Sequence, residues 1–173
     1  QDYNIDYEKI KELISKYEQI KKSGEIKRYN EESTKKDFIL PLFEALGWNV
    51  YNKGNKDNSV SAEETISKKR VDYGFRINGI PKFFLEAKSL KEENIQTNSK
   101  YVTQAIDYAW MKSCSWAILT NFETIAVYNA DWKESNYGGQ GIRREPVAVK
   151  CKAMVFKRQR SSCKGNLKDI QGL

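Results

Sequence analysis

The stretch RVDYGFRINGIPKFFLEAK, residues 70–88, contains two strand-like segments separated by a turn signal. Residues 70–77 and 82–88 are rich in aromatic and aliphatic side chains, which favour a pleated, half-buried backbone. Asn78 and Gly79 between them form a dipeptide that is typical of tight hairpin turns. We therefore predict two neighbouring antiparallel strands here, and this hairpin is the centre of the predicted fold.

Helical and strand-like patterns lie on both sides of the hairpin. Apolar residues at helical spacing predict helices over residues 5–22, 31–46 and 101–112, and Pro41 predicts a kink or break in the second. Further strands are predicted over residues 60–66, 116–120 and 124–128. The order α, α, β, β, β, α, β, β predicts an α/β fold with a central mixed β-sheet flanked by α-helices.

Three charged residues of the hairpin are candidates for a site. Glu86 and Lys88 are two residues apart, so strand alternation places both on one face. A two-residue turn would place Asp72 opposite Leu85, on the other face. A bulge, or a three-residue loop with Gly79 in the left-handed conformation, would bring Asp72 to the Glu86 face. Asp72 therefore joins the pair only if the loop is odd or bulged.

Two carboxylates and a lysine suit metal-assisted hydrolysis of a phosphodiester. Mg²⁺ prefers oxygen ligands and keeps several waters, and a lysine can orient the attacking water or stabilise transition-state charge. The alternative for Glu86 and Lys88 is a solvated ion pair on an edge strand.

Composition excludes other chemistries and bounds the setting. The 173 residues suit one domain, and the absence of histidine excludes histidine-based triads and histidine metal ligands. Cys114, Cys151 and Cys163 match no zinc spacing, so a reducing, cytoplasmic setting is expected. No apolar run is long enough to span a membrane. Gln1 is interpreted as a start within a longer protein.

The net charge of +7 is unevenly distributed. Residues 138–173 contain nine of the 30 basic residues and two of the 23 acidic ones, so residues 1–137 have 21 of each. We predict a domain over residues 1–137, with a leading helix over 1–24 and a core over 25–132. Residues 138–173 are predicted to be a basic tail: a DNA-gripping extension, a linker, or sequence of non-native origin.

The motifs VDY and FLEAKS resemble those of the PD-(D/E)xK nuclease superfamily. More closely, the chain resembles the N-terminal nuclease domain of type I restriction enzyme R subunits and of fused type IIG restriction–modification enzymes. Matching segments are NEESTK (residues 30–35), FILPLFEALGW (38–48), QAIDY (104–108), AILTN (117–121) and IAVY (125–128). The resemblance covers residues 25–132 and implies a restriction-endonuclease-like core. Val71 replaces the family's proline, and the tail matches nothing in the family.

The resemblance implies roles for further residues. It places a helix carboxylate on Glu31, with Glu32 as the competitor and simple helix-terminus electrostatics as the alternative. Gln104 is implied as an accessory catalytic residue that points at the metal-site strand or the DNA backbone, and the alternative is an exposed polar helix position. Tyr108 is implied as a DNA contact, and the alternative is a half-buried aromatic.

Two basic residues before the hairpin, Lys69 and Arg70, are weaker candidates for DNA phosphate contacts. Lys68 belongs to the same group, and the alternative for all three is a solvated turn.

The predicted function is a Mg²⁺-dependent endonuclease domain that hydrolyses DNA, as a type I/IIG-like restriction endodeoxyribonuclease. Asp72 and Glu86 are predicted to bind Mg²⁺, or Mn²⁺ as a substitute, together with the Ala87 backbone carbonyl. Lys88 is predicted to orient or deprotonate the attacking water. Double-stranded DNA and methyltransferase or specificity domains are the expected partners, with no membrane. The alternative is a non-catalytic DNA-binding or scaffold module of this fold, and a third interpretation is a nuclease of RNA or repair.

Overall fold

The computed structural model describes residues 5–54, 59–66, 69–134 and 144–146. A five-stranded sheet occupies its centre, in the order β1 (Val60–Ile66), β2 (Lys69–Ile77), β3 (Ile80–Ala87), β4 (Trp116–Thr120) and β5 (Ile125–Asn129). β3 and β4 are parallel and all other neighbours are antiparallel, so the sheet is mixed. The predicted strands and mixed sheet are confirmed.

Helices of the N-terminal part cover one face of the sheet. α1 (Tyr7–Ser23) is capped at its start by Asp6, whose carboxylate accepts a hydrogen bond from the Lys9 N–H. Gly24, in the left-handed conformation, caps its end. α2 (Glu31–Thr34) and α3 (Leu40–Ala45) follow, after a 3₁₀ turn over Glu25–Arg28. Their apolar side chains pack with Leu85 and Ala87 of β3 in one core cluster.

α4 (Ser99–Met111) covers the other face and forms the crossover between the parallel strands β3 and β4. It follows a 3₁₀ turn over Ile95–Thr97, and the Asn98 side chain accepts the N–H groups of Lys100 and Tyr101 at its start. Phe84 of β3 packs on this face with Ala105 and Tyr108 of the helix. The predicted alternation of β3, with Leu85 and Ala87 opposite Phe84, is confirmed.

The segment predicted as one helix over residues 31–46 is divided differently from the prediction. Its irregular part is a π-helical turn over Lys35–Ile39, which precedes Pro41 instead of centring on it. The Leu40 N–H bonds the Lys35 carbonyl, an i→i−5 bond. Proline has no N–H to donate, and its ring clashes with the carbonyl four residues earlier. The wider π turn before Pro41 absorbs this conflict.

The basic tail contributes at least one strand. Arg144–Pro146 forms β7, which pairs antiparallel with β6 (Trp132–Glu134). This short strand was not predicted, because residues 138–173 have poor periodicity. Residues 147–173, which include Cys151 and Cys163, lie outside the described residues. None of the helices in the described ranges is both long and apolar enough to cross a membrane.

Candidate active site

The turn between β2 and β3 has two residues, and a bulge beyond it sets the facing of Asp72. Asn78 and Gly79 both have positive φ angles, 51° and 76°, as a type I′ turn requires. Ile77 pairs with Ile80, and Arg76 with Pro81, but Phe75 pairs with Phe83. Lys82 is therefore the extra residue of a β-bulge.

This bulge fulfils the geometric condition that the sequence posed. Beyond it Tyr73 pairs with Leu85, so the same register continued by one residue places Asp72 opposite Glu86. The three-residue loop with a left-handed Gly79, considered as one way to reach this register, is not what the chain uses. A two-residue turn followed by a bulge at Lys82 has the same effect on parity.

Asp72 lies where β2 separates from both of its neighbours. The β2–β3 pairing ends at Tyr73, and the β1–β2 pairing is interrupted opposite Asp72, at Glu63, which has a φ of 53°. The Asp72 carboxylate turns into this gap, where its Oδ2 accepts the Ala87 N–H at 2.7 Å. A buried side chain thus replaces a ladder hydrogen bond and is held in one orientation.

Glu86 and Lys88 form a buried ion pair at the end of β3. Their side chains are 4% and 10% exposed, and the Lys88 Nζ donates to Glu86 Oε1 at 2.6 Å. The Lys88 backbone N–H donates to the Thr120 carbonyl, which fixes the end of the strand. The burial excludes the alternative of a solvated pair on an edge strand, because β3 lies between β2 and β4.

The start of α2 is tied to the residues that follow Lys88. The Ser89 hydroxyl donates to the Tyr29 carbonyl at 2.7 Å, and the Leu90 N–H donates to Thr34 Oγ1 at 2.9 Å. Asn30 and Ser33 form a capping box that begins the helix. These polar contacts bring the first turn of α2 to the end of β3.

Glu31 faces both lysines of the site. Its Oε2 lies 4.0 Å from Lys88 Nζ, and its Oε1 lies 3.3 Å from Lys35 Nζ. Glu32 contacts Lys35 at 2.7 Å, but its side chain is 76% exposed. Of the two competing carboxylates, Glu31 is therefore the one that lies beside the Glu86–Lys88 pair.

Lys35 is a fifth charged residue of this cluster, and the sequence did not identify it. Its side chain is 5% exposed, and Nζ lies 2.6 Å from Asp72 Oδ1. Burial lowers the pKa of Lys35, but hydrogen bonds to Asp72 and Glu32 outweigh this effect and leave the pKa raised. Lys35 therefore stays charged and neutralises part of the carboxylate cluster.

Glu86 is the carboxylate whose protonation the site alters most clearly. Burial, reinforced by the negative charge of Asp72, raises the pKa of Glu86 to about 7, although Lys88 acts in the opposite direction. A buried carboxylate whose ionised form is disfavoured by burial and by a neighbouring carboxylate creates a demand for positive charge. Shifts of this kind are common at functional sites.

α4 brings a different residue to the site from those that the motif implied. Gln104 is exposed and, among these described residues, makes no hydrogen bond with Asp72, Glu86 or Lys88. Tyr108 is 1% exposed and packs edge-on against Phe84, which makes it a core residue and does not support a DNA contact. Tyr101, two turns before Tyr108, lies with its ring centroid 4.8 Å from Lys88 Nζ.

The basic residues before the hairpin lie apart from the buried charges or outside what is described. Arg70 pairs with Glu63 at 3.0 Å, and both side chains are more than half exposed. Lys69 begins β2, but its side chain is outside the described part, as is all of Lys68. Their DNA-binding role stays a prediction.

The donor set can be tested for its fit to a divalent cation. The described residues contain no group of three or more Asp, Glu, His or Cys side chains that could hold a metal. Asp72 and Glu86 would therefore need a backbone carbonyl, water and substrate oxygens to complete a coordination shell, which is the habit of Mg²⁺. The oxygen-only donors, and the neighbouring Asp72 carboxylate that helps to raise the pKa of Glu86, fit such a hard cation.

Two signals could have pointed to the residues that sequence reasoning missed. Lys35 lies on the predicted helix one turn before the apolar residues Phe38 and Ile39. A lysine at this position lies on the face of the helix that is expected to be buried. Tyr101 precedes Ala105 and Tyr108 on the buried face of α4. Neither pattern is decisive without knowing that Glu31 of α2 and Tyr101 of α4 both approach Lys88 at the end of β3.

The fold and the position of the site define a class of protein. A mixed five-stranded sheet between helices, with carboxylates and a lysine on its central hairpin, is a restriction-endonuclease-like α/β fold. Residues 60–136 match the family model described as type I restriction enzyme R protein N terminus. The family resemblance that the sequence motifs predicted is confirmed.

A curated relative extends the match beyond the family model. Over 131 residues, 70% of this chain, the sequence is 32% identical to the type II restriction enzyme and methyltransferase RM.Eco57I of Escherichia coli. The match spans 13% of that relative's length, so most of the relative has no counterpart in this chain. No solved structure matches the chain.

Proposed function

We propose that this chain is the Mg²⁺-dependent endonuclease domain of a restriction–modification enzyme and hydrolyses DNA phosphodiester bonds. The observation that carries the proposal is the convergence of Asp72, Glu86 and Lys88. These residues come from two strands, are all nine-tenths buried or nearly so, and meet beside the first turn of α2. Buried charges outside a site are costly, so their concentration at one strand end favours a chemical role.

Each residue has a role that follows from its position. Asp72 and Glu86 would hold the cation, and the Ala87 carbonyl, between Glu86 and Lys88 in the chain, is the third candidate donor. The cation would activate water and neutralise charge on the scissile phosphate. Lys88, held by Glu86 and the Tyr101 ring, is placed to donate a hydrogen bond to a water or phosphate oxygen.

Glu31 has a supporting part in this proposal. Because it lies between Lys35 and Lys88, its carboxylate stabilises both ammonium groups and restrains Lys88 beside Glu86. Gln104 is left without a contact to these residues, so an accessory role would require a contact made by substrate.

The comparisons support the proposal that this domain is part of a restriction–modification enzyme. RM.Eco57I is named as a restriction enzyme and methyltransferase in one protein, and the chain corresponds to 13% of it. We infer a type I/IIG-like organisation, in which methyltransferase and specificity parts lie elsewhere in the same protein or in a partner. Double-stranded DNA is then the substrate.

Nicking of supercoiled plasmid with Mg²⁺ tests the activity. We expect the wild-type chain and a Lys11→Ala control, which changes an exposed lysine of α1, to nick the plasmid equally. Lys88→Ala should lower the rate by about 10²-fold or more, as loss of a transition-state donor does. Equal absence of nicking in all three proteins would favour a non-catalytic DNA-binding module, and cleavage of RNA instead of plasmid would favour the third interpretation.

Cation binding provides a second test that does not depend on the missing parts of the enzyme. Calorimetric titration with Mn²⁺ should show binding to the wild-type chain and its loss in Asp72→Ala. Binding that is unchanged in Asp72→Ala would contradict the proposed ligand set.

A further inference from the structure

Lys35 is paired with carboxylates from both α2 and β2. Its Nζ lies 2.6 Å from Asp72 Oδ1, 2.7 Å from Glu32 Oε1 and 3.3 Å from Glu31 Oε1. An ammonium group has three N–H donors, and here three carboxylates surround it. Lysine is almost never this buried unless it is paired. The pairing therefore explains the burial, but it leaves open what Lys35 does for the site.

The contact with Asp72 is the one that matters for cation binding. Lys35 holds Oδ1, and the Ala87 N–H holds Oδ2 at 2.7 Å, so the carboxylate cannot rotate without losing one of the two bonds. Each oxygen keeps a second lone pair that a cation could use. Any cation on Asp72 would nevertheless lie within a few ångströms of the Lys35 ammonium and be repelled by its charge.

The balance of charges in the cluster also indicates that Lys35 acts on Asp72. Among the described residues of this cluster, Asp72 and Glu86 are the two buried carboxylates, and Lys35 and Lys88 each pair with one of them. Lys88 belongs to the strand motif, whereas Lys35 reaches the site from the π turn that follows α2. Its position depends on the π turn, where the Leu40 N–H bonds the Lys35 carbonyl. Helix irregularities of this type often mark functional positions.

We propose that Lys35 is a positioning residue that orients Asp72 and, by its charge, weakens the binding of a divalent cation there. This inference rests on the proposed cation site at Asp72 and Glu86. Lys35 keeps the Asp72 carboxylate correctly oriented, and the cost is lower cation affinity. Removing the charge while keeping the volume should therefore tighten cation binding, whereas removing a merely structural anchor would weaken it.

Mn²⁺ titration by calorimetry of four proteins tests this role: the wild-type chain, Lys35→Met, Lys35→Arg and Lys36→Met. Lys35→Met should bind Mn²⁺ roughly tenfold more tightly than the wild type, because the nearby repulsion is gone. Lys35→Arg keeps the charge and should stay within about threefold of the wild type. Lys36 is the adjacent, exposed lysine, so Lys36→Met is the matched control and should leave the affinity unchanged.

The outcomes separate this role from the proposed function. Mn²⁺ binding to the wild type that is unchanged or weaker in a folded Lys35→Met protein would overturn the role of Lys35 and leave the cation site intact. Absence of binding in all four proteins would overturn the cation site as well. Circular dichroism checks folding, and Lys35→Gln, which keeps a neutral hydrogen-bond donor, replaces Lys35→Met if that variant does not fold.

Discussion

The β2–β3 hairpin has an aromatic end and a charged end, and the two are stabilised in opposite ways. Near the turn, Phe75 and Phe83 stack at 4.4 Å between ring centroids and pack with Phe43 and Trp48. At the far end, the same two strands place Asp72 and Glu86 beside Lys35 and Lys88.

The two ends of the hairpin differ in how burial affects stability. Packed aromatic rings gain stability from burial and need no partner of opposite charge. Buried charges must be paired and return little net stability. The bulge at Lys82 lies between the turn and the Phe75–Phe83 pair, and it sets the register that brings Asp72 opposite Glu86. Substitutions at the two ends should therefore differ in size and in their dependence on pH.

The largest effect is expected at the aromatic end. Phe75→Ala removes a fully buried ring that contacts three other aromatic side chains. Its unfolding free energy in urea should fall by about 3–5 kcal/mol, since the ring's burial is lost and a cavity remains. Ile80→Ala at the exposed turn is the control, and its unfolding free energy should stay within about 0.5 kcal/mol of the wild-type value. A loss for Phe75→Ala as small as that of the control would contradict the division described above.

Breaking one buried pair at the charged end should cost nearly as much. Asp72→Ala leaves Lys35 with only the more exposed Glu31 and Glu32, and removes the partner of the Ala87 N–H. We expect the unfolding free energy to fall by about 3 kcal/mol. The double variant Asp72→Leu with Lys35→Met replaces both charges by apolar groups and should recover most of this loss. Urea unfolding that shows the double variant to be worse than Asp72→Ala would mean that the pair itself contributes large net stability.

The charged end should also make stability depend on pH through Glu86. Burial, aided by the charge of Asp72, raises the pKa of Glu86 from 4.5 to about 7. The folded protein thus binds this proton more tightly than the unfolded chain, so the stabilisation is fully present below pH 4.5 and is lost as pH rises through about 7.

Glu86→Gln should remove this dependence. Relative to the wild type, its unfolding free energy should increase by about 3 kcal/mol between pH 4.5 and about pH 8. Urea titrations at several pH values measure the difference, with the exposed Glu18→Gln as control. If the wild-type and Glu86→Gln curves stay parallel across this range, the Glu86 carboxylate is not perturbed as described.

The hairpin also shows where sequence reasoning reaches its limit. Alternation along β3 correctly assigned Glu86 and Lys88 to one face, because a period of two is local information. The bulge at Lys82 could not be predicted, since no residue there demands it; the sequence only allowed the condition to be stated. Predictions of element positions for the sheet and α4 were correct to within a few residues because their apolar patterns are strong.

Contacts between elements were the part that could not be predicted. Lys35 and Tyr101 reach the site only because polar bonds from Ser89 and Leu90 hold the start of α2 at the end of β3, and because α4 crosses the other face. Motif matching selected Gln104, which is exposed, since a motif records spacing along a helix and not the distance to another strand.

The smallest expected effect concerns the ring that covers Lys88. Tyr101 places its ring 4.8 Å from Lys88 Nζ, while its hydroxyl lies at a long 3.5 Å from Glu92 Oε2. Tyr101→Leu should lower the unfolding free energy by about 1 kcal/mol through loss of the cation–π contact, and Tyr101→Phe should stay within about 0.5 kcal/mol.

A double-mutant cycle isolates this contact from the rest of the packing. Combining Tyr101→Leu with Lys88→Met should give a coupling free energy of about 0.5–1 kcal/mol, because the cycle cancels the ring's contacts with other residues. A coupling near zero would mean that Tyr101 only fills space beside α4. In that case Glu86 and Glu31 alone would position Lys88, and the charged end would rely on ion pairs without help from an aromatic ring.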